Sequence, residues 1–419
     1  MRRFAVWIGL LATLVSAASL KAQDRAPSPD ELVRAALAGS PALAALRESL
    51  AAAREMERPA TALPDPMVEG MLQNEEFPDW TVGEMPMSMI GVELRQPLPY
   101  PGKRRARGAA ATAETALRAA RAAALEARIA SEVRILYARI YAMDRERQFL
   151  TAAHELVDML SATAGSRYAS GATEQEAVLK AQLEVSRLGE DLDDLAAERA
   201  AMVAELGRWL GRPGAPLGEV TELPQASFPK LSEEELAATV ADSADVQAAR
   251  AAVTLAEQRL AVARLDLKPD FSPSAGLAAR GSLGPVLTLR FGVELPFWKK
   301  DKQEPMIRAA ERELEMARQE VRDAEVMALS EAARLAARRE QAERQIVRFR
   351  EAIVPQSSTA LDAARSSYLA ARGDFSTVVE DFGLWLEARV QLARREADLY
   401  TAWAGLQRLL PAVESKEMP

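Results

Sequence analysis

The strongest constraint on the fold is that the chain repeats itself. The sequence over residues 28–65 is similar to that over residues 231–270, where Leu32 matches Leu236. The similarity continues downstream in three further pairs: Pro64-Asp65 with Pro269-Asp270, Gly91-Val92-Glu93-Leu94 with Gly292-Val293-Glu294-Leu295, and Tyr168 with Tyr368. The period is about 200 residues, far longer than that of a solenoid repeat. The chain is therefore predicted to be a tandem duplication, with a first copy over 23–210 and a second over 231–411.

The N-terminus has the layout of a secretory signal peptide. Arg2 and Arg3 precede a short apolar run, and small residues lead to Ala22. This pattern predicts a signal peptide over residues 1–22, with cleavage after Ala22 or, alternatively, after Ala18. The other interpretation, a first helix that is buried or spans a membrane, is disfavoured because the run is short. Removing the segment would change the formal charge from −8 to about −11, which is the wrong sign for binding nucleic acid.

Each copy contains two segments in which apolar and polar residues alternate. In the first copy Ile90, Val92 and Leu94 share one side of such a segment. Strict alternation is typical of a strand with one apolar face. The pattern predicts four strands, at about 67–73 and 87–96 in the first copy and at about 271–280 and 286–295 in the second.

The remaining sequence is dominated by long helical patterns. Apolar residues recur at spacings of three and four, for example Val133, Leu136 and Ile140. Such a sustained seven-residue repeat predicts long antiparallel coiled-coil hairpins. The predicted rods cover about 103–166 and 174–211 in copy one, and about 303–366 and 375–410 in copy two. The Pro- and Gly-rich segment 211–230 is predicted to be a linker, and 412–419 a C-terminal tail.

A proline-rich corner, QPLPYPGKR, joins the second strand of copy one to the first rod. Proline cannot donate to a strand ladder, which ends the strand, and it is favoured where a helix begins. Glycine allows the turn between the two elements. The sequence therefore predicts a strand-to-helix corner formed by Pro97, Pro99, Pro101, Gly102 and Lys103.

Four amphipathic strands allow two architectures. An open sheet cannot lie in lipid, because its edge donors and acceptors would be unpaired. The strands either form ordinary hairpins of a soluble protein with the apolar face covered, or several chains pool them into a closed barrel. Aromatic residues at the strand ends, namely Tyr100, Phe297 and Trp298, favour the barrel because membrane barrels carry aromatic girdles at both interfaces.

These features resemble the TolC-like outer membrane factors, the exit ducts of tripartite efflux pumps. The resemblance covers nearly all of the mature chain. It rests on the duplication, on SPAL and LPDP before the first hairpin, on QPLPYPGKR after it, on ELPFW in copy two, and on the tip sequences RYASGATEQEAVL and YLAARGDFSTVVED. It implies a mainly helical fold with a small β part, in which a homotrimer forms a twelve-stranded transmembrane β-barrel and an α-barrel, with the linker as an equatorial belt.

The resemblance also implies a location and partners. The barrel would lie in the outer membrane of a Gram-negative bacterium, in contact with its lipid, and the helices would extend into the periplasm. A periplasmic adaptor would grip the helical tips. An inner-membrane pump of the resistance-nodulation-division (RND) type would supply the energy, so that the duct itself is passive.

Roles at the helical tips follow from the same resemblance. In the family, acidic residues just after the second-copy tip surround the narrow inner aperture, and alignment places Glu380 at one such position and Thr377 at the other. We hypothesise that Glu380, with Asp374 and Asp381, lines a constriction that prefers cations; the alternative is a solvated charged turn. The aperture candidates are Arg167, Tyr168, Gly171, Arg372, Gly373, Asp374, Glu380 and Asp381, of which the two arginines are expected to pair across subunits.

Methionines and motifs indicate the cargo. Met85, Met87 and Met89 are predicted to share a strand face that points into the lumen, and Met67 and Met71 to share a face of the partner strand. Thioethers suit soft cations such as Cu(I) and Ag(I), although methionine also fills irregular apolar gaps. The motifs LPDPM, MPMSM and PLPYPGKR resemble the heavy-metal branch of the family. We therefore predict export of metal cations, with drugs or proteins as alternative cargo, and hypothesise that the first three methionines contact metal.

Catalytic motifs are absent from the sequence. It has no cysteine, one histidine (His154), no Ser/His/Asp set and no glycine-rich phosphate loop. We predict neither enzymatic activity nor a cofactor. The rival from another class is a soluble periplasmic adaptor or structural coiled-coil protein, which is disfavoured because adaptors usually carry one helical hairpin rather than two.

Overall fold

A computed structural model gives the fold of the chain. It describes residues 26–171, 174–228, 232–370 and 372–410. The predicted signal peptide (1–22) and C-terminal tail (412–419) lie outside the described residues. The described chain is mostly helical with one four-stranded antiparallel sheet, which confirms the predicted mainly helical fold with a small β part.

The elements follow the same order in both copies. The first copy contains α1 (Pro29–Gly39), α2 (Pro41–Thr61), β1 (Met67–Gln73), β2 (Met89–Arg95), α3 (Lys103–Ala169) and α4 (Gln175–Trp209). The second contains α5 (Glu233–Val240), α6 (Ala244–Leu265), β3 (Asp270–Ala279), β4 (Val286–Glu294), α7 (Gln303–Arg348), α8 (Val354–Leu369) and α9 (Phe375–Leu409), with a short 3-10 turn at Gly281–Leu283 and a π-helical segment at Phe349–Ile353. The sequence duplication is thus also a structural one.

Both copies begin with the same helix-starting device. The Ser28 hydroxyl accepts a hydrogen bond from the Glu31 N–H at 3.3 Å, and the Glu31 carboxylate accepts one from the Ser28 N–H at 2.8 Å. Ser232 and Glu235 repeat this capping box before α5, and the bonds from Ser232 lower the pKa of Glu235 below its usual value. Because the reciprocal bonds satisfy donors that a first turn leaves unpaired, both starts are encoded locally.

The strands form one sheet in the order β1-β2-β3-β4. Its centre joins the two copies, since β2 of the first pairs with β3 of the second and Val92 lies opposite Leu277. Gly91 is required at this junction, because a Cβ there would lie 2.7 Å from the Cβ of Ala278. The duplicated hairpins therefore build a single structure rather than two separate ones.

The chain divides into two compact units. The first comprises the described parts of 1–44, 125–244 and 327–419. One of its cores packs α1, the start of α2, α3, α4 and α9 with the linker, and its fully buried members include Leu43, Ile129, Ile140, Leu206 and Val220. Its other core contains residues of α3, α4, α8 and α9, among them Val157, Leu188, Leu361, Val378 and Phe382. The predicted heptad positions Val133, Leu136 and Ile140 are buried in the first of these cores.

The second unit comprises 45–124 and 245–326 and includes the sheet. Its helical cores are small: Leu260 of α6 packs with Ala310 and Leu314 of α7, and Leu117 of α3 packs with Leu255 of α6. Alanines contribute to both cores, namely Ala256, Ala310 and Ala317 in the first and Ala113 in the second.

The start of β2 differs from the prediction. The strand begins at Met89 rather than near residue 87. The preceding residues form a turn in which the Ser88 N–H donates to the Met85 carbonyl at 3.1 Å. Pro86 occupies the second position of this turn, where proline is favoured because its φ is already fixed. The alternating pattern therefore extends beyond the strand that it predicts.

The predicted rod over 303–366 is interrupted. Phe349–Ile353 is π-helical, and the α-helix resumes at Val354. The cause is Pro355, which has no N–H to donate and whose ring would clash with the carbonyl of Glu351 in a regular α-helix. A wider π turn relieves this conflict.

Candidate functional site

One face of the sheet is apolar and exposed. Leu289 is 74% exposed and Val68 is 72% exposed. The strand register aligns this face across all four strands, for example through Val92, Leu277 and Leu287. Its large exposed members are Val68, Leu72, Ile90, Val92, Leu94, Leu277, Leu287, Leu289, Phe291 and Val293. A contiguous apolar surface of this kind marks a contact with lipid or with another protein.

The opposite face carries an ionic network. The Glu93 side chain is buried, contacts Arg290 of β4 and lies 3.8 Å from Arg95. Arg95 also contacts Glu69 of β1 at 3.2 Å. Gly276 lies opposite Glu93 on β3, and its missing side chain leaves room for the contact to pass across that strand. The network therefore spans the sheet from β1 to β4.

The methionine prediction is corrected by the structure. Met85 and Met87 precede β2 and belong to the proline turn, so they do not share a strand face with Met89. Met89 lies on the face of the ionic network, and the register places Met67 and Met71 of β1 on that same face. The methionines that share one face are thus Met67, Met71 and Met89.

The proline corner continues the alignment of β2 with β3. The Gln96 N–H donates to the Pro273 carbonyl at 3.0 Å, and Leu98 exchanges two backbone hydrogen bonds with Phe271 at 2.7 and 2.9 Å. Pro97 and Pro99 occupy the alternate positions, which make no hydrogen bond to β3. Their lack of an N–H group therefore costs no hydrogen bond in this pairing. Pro101 and Gly102 then turn the chain, and Gly102 has a φ of 101°, which favours glycine.

Lys103 fastens this corner through a buried ion pair. Its ammonium lies 2.9 Å from the Asp270 carboxylate and 3.8 Å from that of Asp266, and the lysine is buried. Asp270 also accepts a hydrogen bond from the Tyr100 N–H at 2.7 Å. The first residue of α3 is therefore tied to the first residue of β3.

The three predicted interface aromatics lie where β2 and β4 end. Tyr100 stacks on Phe271 with ring centroids 6.5 Å apart, and Phe271 stacks on Phe291 at 5.8 Å. Phe297 and Trp298 follow β4 and are 79% and 77% exposed.

At the helical tips, Arg167 contacts residues of its own chain. Its guanidinium lies 4.5 Å from the Tyr368 ring centroid and donates to the Leu369 carbonyl at 3.1 Å. Tyr368 in turn packs edge-on against Phe375 at 5.7 Å. The sequence prediction assigned Arg167 to contacts between subunits, and it missed the aromatic ring of Tyr368 as a partner. The match between Tyr168 and Tyr368 in the two copies was the available signal.

The other tip candidates lie in the turns and along α9. Val378 and Phe382 are buried, whereas Thr377 and Glu380 are exposed, so Glu380 points away from the core of its hairpin. The remaining members are Tyr168, Gly171, Arg372, Gly373 and Asp374, which are exposed, and Asp381, which is half-buried. The structure thus brings Arg167 to Tyr368 within the chain.

A buried ion pair that the sequence analysis missed holds the linker. Asp144 of α3 is fully buried and accepts two hydrogen bonds from Arg199 of α4, at 2.5 and 3.1 Å. The same carboxylate accepts the Val220 N–H at 2.9 Å, and Arg199 donates to the Gly218 carbonyl at 2.9 Å. The available signal was Arg199, a charged residue within an apolar helical stripe.

A further polar contact joins α3, α9 and the π-helical segment. The Tyr141 hydroxyl donates to the Glu396 carboxylate at 2.9 Å, and Arg350 lies 2.8 Å from its other oxygen. Burial raises the pKa of Tyr141, and the negative charge of Glu396 adds to the rise. Both effects favour the protonated phenol, which is the form that donates this hydrogen bond.

Within the described ranges, no helix combines the length and apolarity that a bilayer crossing requires. No group of three or more His, Asp or Glu side chains suited to a metal ion occurs among the described residues.

Comparison with known proteins places these features in a family. The family model described as "Outer membrane efflux protein" matches residues 32–212 and 237–411. No curated protein sequence matches the chain. Among solved structures, the chain is similar to the outer membrane protein VceC of Vibrio cholerae, with 18% identity, a TM-score of 0.76, and coverage of 91% of this chain and 95% of that one.

Two further channels are similarly related in structure. The outer-membrane channel OprN gives 18% identity, a TM-score of 0.77 and coverage of 91% and 89% of the two chains. CusC, whose structures concern transmembrane channel formation, gives 16% identity, a TM-score of 0.76 and coverage of 92% and 93%. At such identities the structural similarity establishes the fold. Because the family model matches more than half of the chain, the protein belongs to the outer membrane efflux protein family, whose members are channels and not enzymes.

Proposed function

We propose that three copies of this chain form the outer-membrane exit duct of a tripartite efflux system. The observation that carries the proposal is the sheet, whose apolar face is exposed and whose outer strands, β1 and β4, each have an edge without a strand partner among the described residues. A sheet with free edges cannot lie in lipid. Pooling four strands from each of three chains closes a twelve-stranded barrel and pairs every edge.

The unequal faces of the sheet support this arrangement. In a membrane barrel the outward side chains meet lipid and the inward ones meet water. The exposed apolar residues suit the first role, and the network of Glu69, Glu93, Arg95 and Arg290 suits the second.

The helices continue the duct into the periplasm, and the linker forms its equatorial belt. The anchoring of the linker by Asp144 and Arg199 supports a fixed rather than a flexible belt. A periplasmic adaptor binds the helical tips, and an RND-type pump in the inner membrane drives transport. Conduction through the duct is passive.

Metal cations are the proposed cargo. The support is the resemblance of LPDPM, MPMSM and PLPYPGKR to the heavy-metal branch, together with the acidic residues near the second-copy tip. The methionines proposed to contact the metal are Met67, Met71 and Met89, because these three share the polar face of the sheet. Export of drugs or proteins uses the same fold and is the alternative outcome of the cargo test.

The first experiment is outer-membrane fractionation followed by native mass determination in mild detergent. We expect a trimer in the outer-membrane fraction. A soluble monomer in the periplasm would overturn the duct and its barrel. For the cargo, a deletion strain should lose tolerance to metal salts while keeping its tolerance to drugs; the reverse pattern would assign the duct to drugs.

A further inference from the structure

Both strand-to-helix corners leave the same end of the sheet. β2 ends beside the start of β3, where Leu98 and Phe271 exchange backbone hydrogen bonds. β4 ends beside that same start, because Asp270 pairs with Glu294 in the β3–β4 register. Whatever follows β2 and β4 in sequence is therefore gathered at one rim of the sheet.

At this rim, each strand is followed along the sequence by aromatic residues and then by basic residues. After β2 the order is Tyr100 and then arginines, and after β4 it is Phe297, Trp298 and then lysines. We call the six cations the basic collar; they are Arg104, Arg105, Arg107, Lys299, Lys300 and Lys302, and all are exposed. The same order in both copies places the collar just beyond the aromatic residues, on the side where the helices begin.

None of the six collar cations forms an ion pair with another described residue. Arg104 uses its Nε to bind the Thr61 carbonyl at 2.8 Å, which leaves its terminal nitrogens for another acceptor. Lys103 provides the contrast, since it is buried against Asp270 and Asp266. Asp301 is the one acidic residue among the three lysines, so the segment keeps a positive balance.

A groove with apolar walls opens beside the arginines. It has a volume of about 650 Å³, and its walls include Leu63, Leu98, Tyr100 and Phe271, with Arg104 and Arg105 also lining it. Guanidinium groups bind phosphate oxygens through paired hydrogen bonds. The groove thus places an apolar surface beside hydrogen-bond donors for phosphate. This combination complements a phospholipid, in which a phosphate group lies next to acyl chains.

We propose that the basic collar binds anionic phospholipid headgroups in the membrane leaflet that faces the periplasm. The proposal rests on the proposed function, because it requires the apolar face of the sheet to lie in a bilayer. Basic residues at a membrane surface contribute roughly 1 kcal/mol each to the attraction of anionic lipid, which is about fivefold in affinity. The exposed aromatics at the rim fix the depth at which the collar meets the headgroups.

The test is reconstitution of the full-length protein into nanodiscs of phosphatidylglycerol or phosphatidylcholine, with native mass spectrometry of the lipids it retains. Wild type should enter both and bind phosphatidylglycerol at least tenfold more tightly at low salt, with the preference declining as salt rises. Lys299→Gln/Lys300→Gln/Lys302→Gln and, separately, Arg105→Gln/Arg107→Gln should each lower the affinity for phosphatidylglycerol at least about fivefold and leave the affinity for phosphatidylcholine unchanged.

The charge-matched control is Lys180→Gln/Arg344→Gln/Arg365→Gln, whose three cations make exposed pairs within their own helices. It should retain phosphatidylglycerol as wild type does. Entry into both lipids without an anionic preference, or collar variants that bind like wild type, would overturn the collar alone. A protein that enters neither lipid would overturn the proposed function. Displacement of lipid by inorganic phosphate beyond that by chloride at equal ionic strength would assign the cations to free phosphate and overturn the lipid proposal.

Discussion

The Asp144 carboxylate is fully buried and is the common acceptor for Arg199 and for the linker at Val220. Asp144→Asn removes its charge and leaves a mostly buried guanidinium without compensation. We expect a loss of about 3 kcal/mol in the free energy of unfolding and faster proteolysis within 211–228. Thermal unfolding and limited proteolysis of the purified protein measure the two effects.

The control for this prediction is Asp362→Asn, because Asp362 forms an exposed pair with Arg365 at 3.7 Å. An exposed pair of this kind contributes less than about 1 kcal/mol. Equal stability of the two variants would show that the linker is held by other contacts.

Replacing glycine by alanine should have opposite effects on stability at Gly102 and Gly165, although a Cβ would fit at both positions. A Cβ at Gly102 or at Gly165 would meet no atom within 4 Å, but Gly102 has a φ of 101° and Gly165 lies inside α3. Gly102→Ala should therefore cost about 1–2 kcal/mol through backbone strain alone, whereas Gly165→Ala should stabilise by about 1 kcal/mol. Thermal melting midpoints that move in the same direction would contradict the assignment of the corner.

Glu380 is the residue predicted to make the aperture selective for cations. It is exposed and points away from its hairpin core, and a carboxylate at a narrow constriction favours cations. Glu380→Gln should lower the cation-to-anion permeability ratio of channels in planar bilayers. Glu340→Gln, which removes an exposed carboxylate paired within α7, is the control and should not change the ratio. An unchanged ratio in Glu380→Gln would place the constriction elsewhere.

The π-helical segment Phe349–Ile353 accommodates one extra residue in an otherwise α-helical rod. Deleting Arg350 together with Pro355→Ala should therefore give a continuous α-helix that keeps Leu361 and Tyr368 in their core. Trimer yield and melting temperature should stay near wild type, because the lost Arg350–Glu396 pair is partly exposed and weak.

A matched deletion in regular helix should behave differently. Deleting Arg365, which lies between Leu361 and Tyr368 in α8, turns Tyr368 by about 100° relative to Leu361. One of the two then leaves the core, and we expect loss of the folded trimer. Equal tolerance of both deletions would mean that the π segment has no special role.

In the assembled protein, the exposed apolar face of the sheet is expected to contact lipid. Leu289 lies on that face and Thr288 on the opposite one. A charge facing lipid costs about 2 to 4 kcal/mol at the bilayer centre, so Leu289→Arg should reduce assembly into the outer membrane strongly, and Thr288→Arg only slightly. Heat-resistant trimer in outer-membrane fractions is the measurement. Equal assembly of the two variants would mean that water, not lipid, meets Leu289.

The order and the type of the elements are predictable from the amino-acid sequence, because the signals for them are local. Capping boxes at Ser28 and Ser232 start the first helices of both copies, heptads predict the rods, and alternation predicts the strands. Prolines were predictable as breaks only in part. The sequence predicts the corner formed by Pro97, Pro99, Pro101, Gly102 and Lys103, whereas the turn at Pro86 lies inside an alternating pattern and the π segment before Pro355 lies inside a heptad pattern.

In contrast, the pairing of strands and the burial of polar groups become visible only in the folded chain. β2 pairs with β3 although a long helical hairpin separates them in sequence, and Asp144 is buried by residues 55 and 76 positions away. Burial and pairing depend on atoms that are distant along the chain, and a local pattern carries no information about them. For the same reason, local alternation predicts that Met67 and Met71 share a face of β1, but only the register of β1 and β2 places Met89 on that face too.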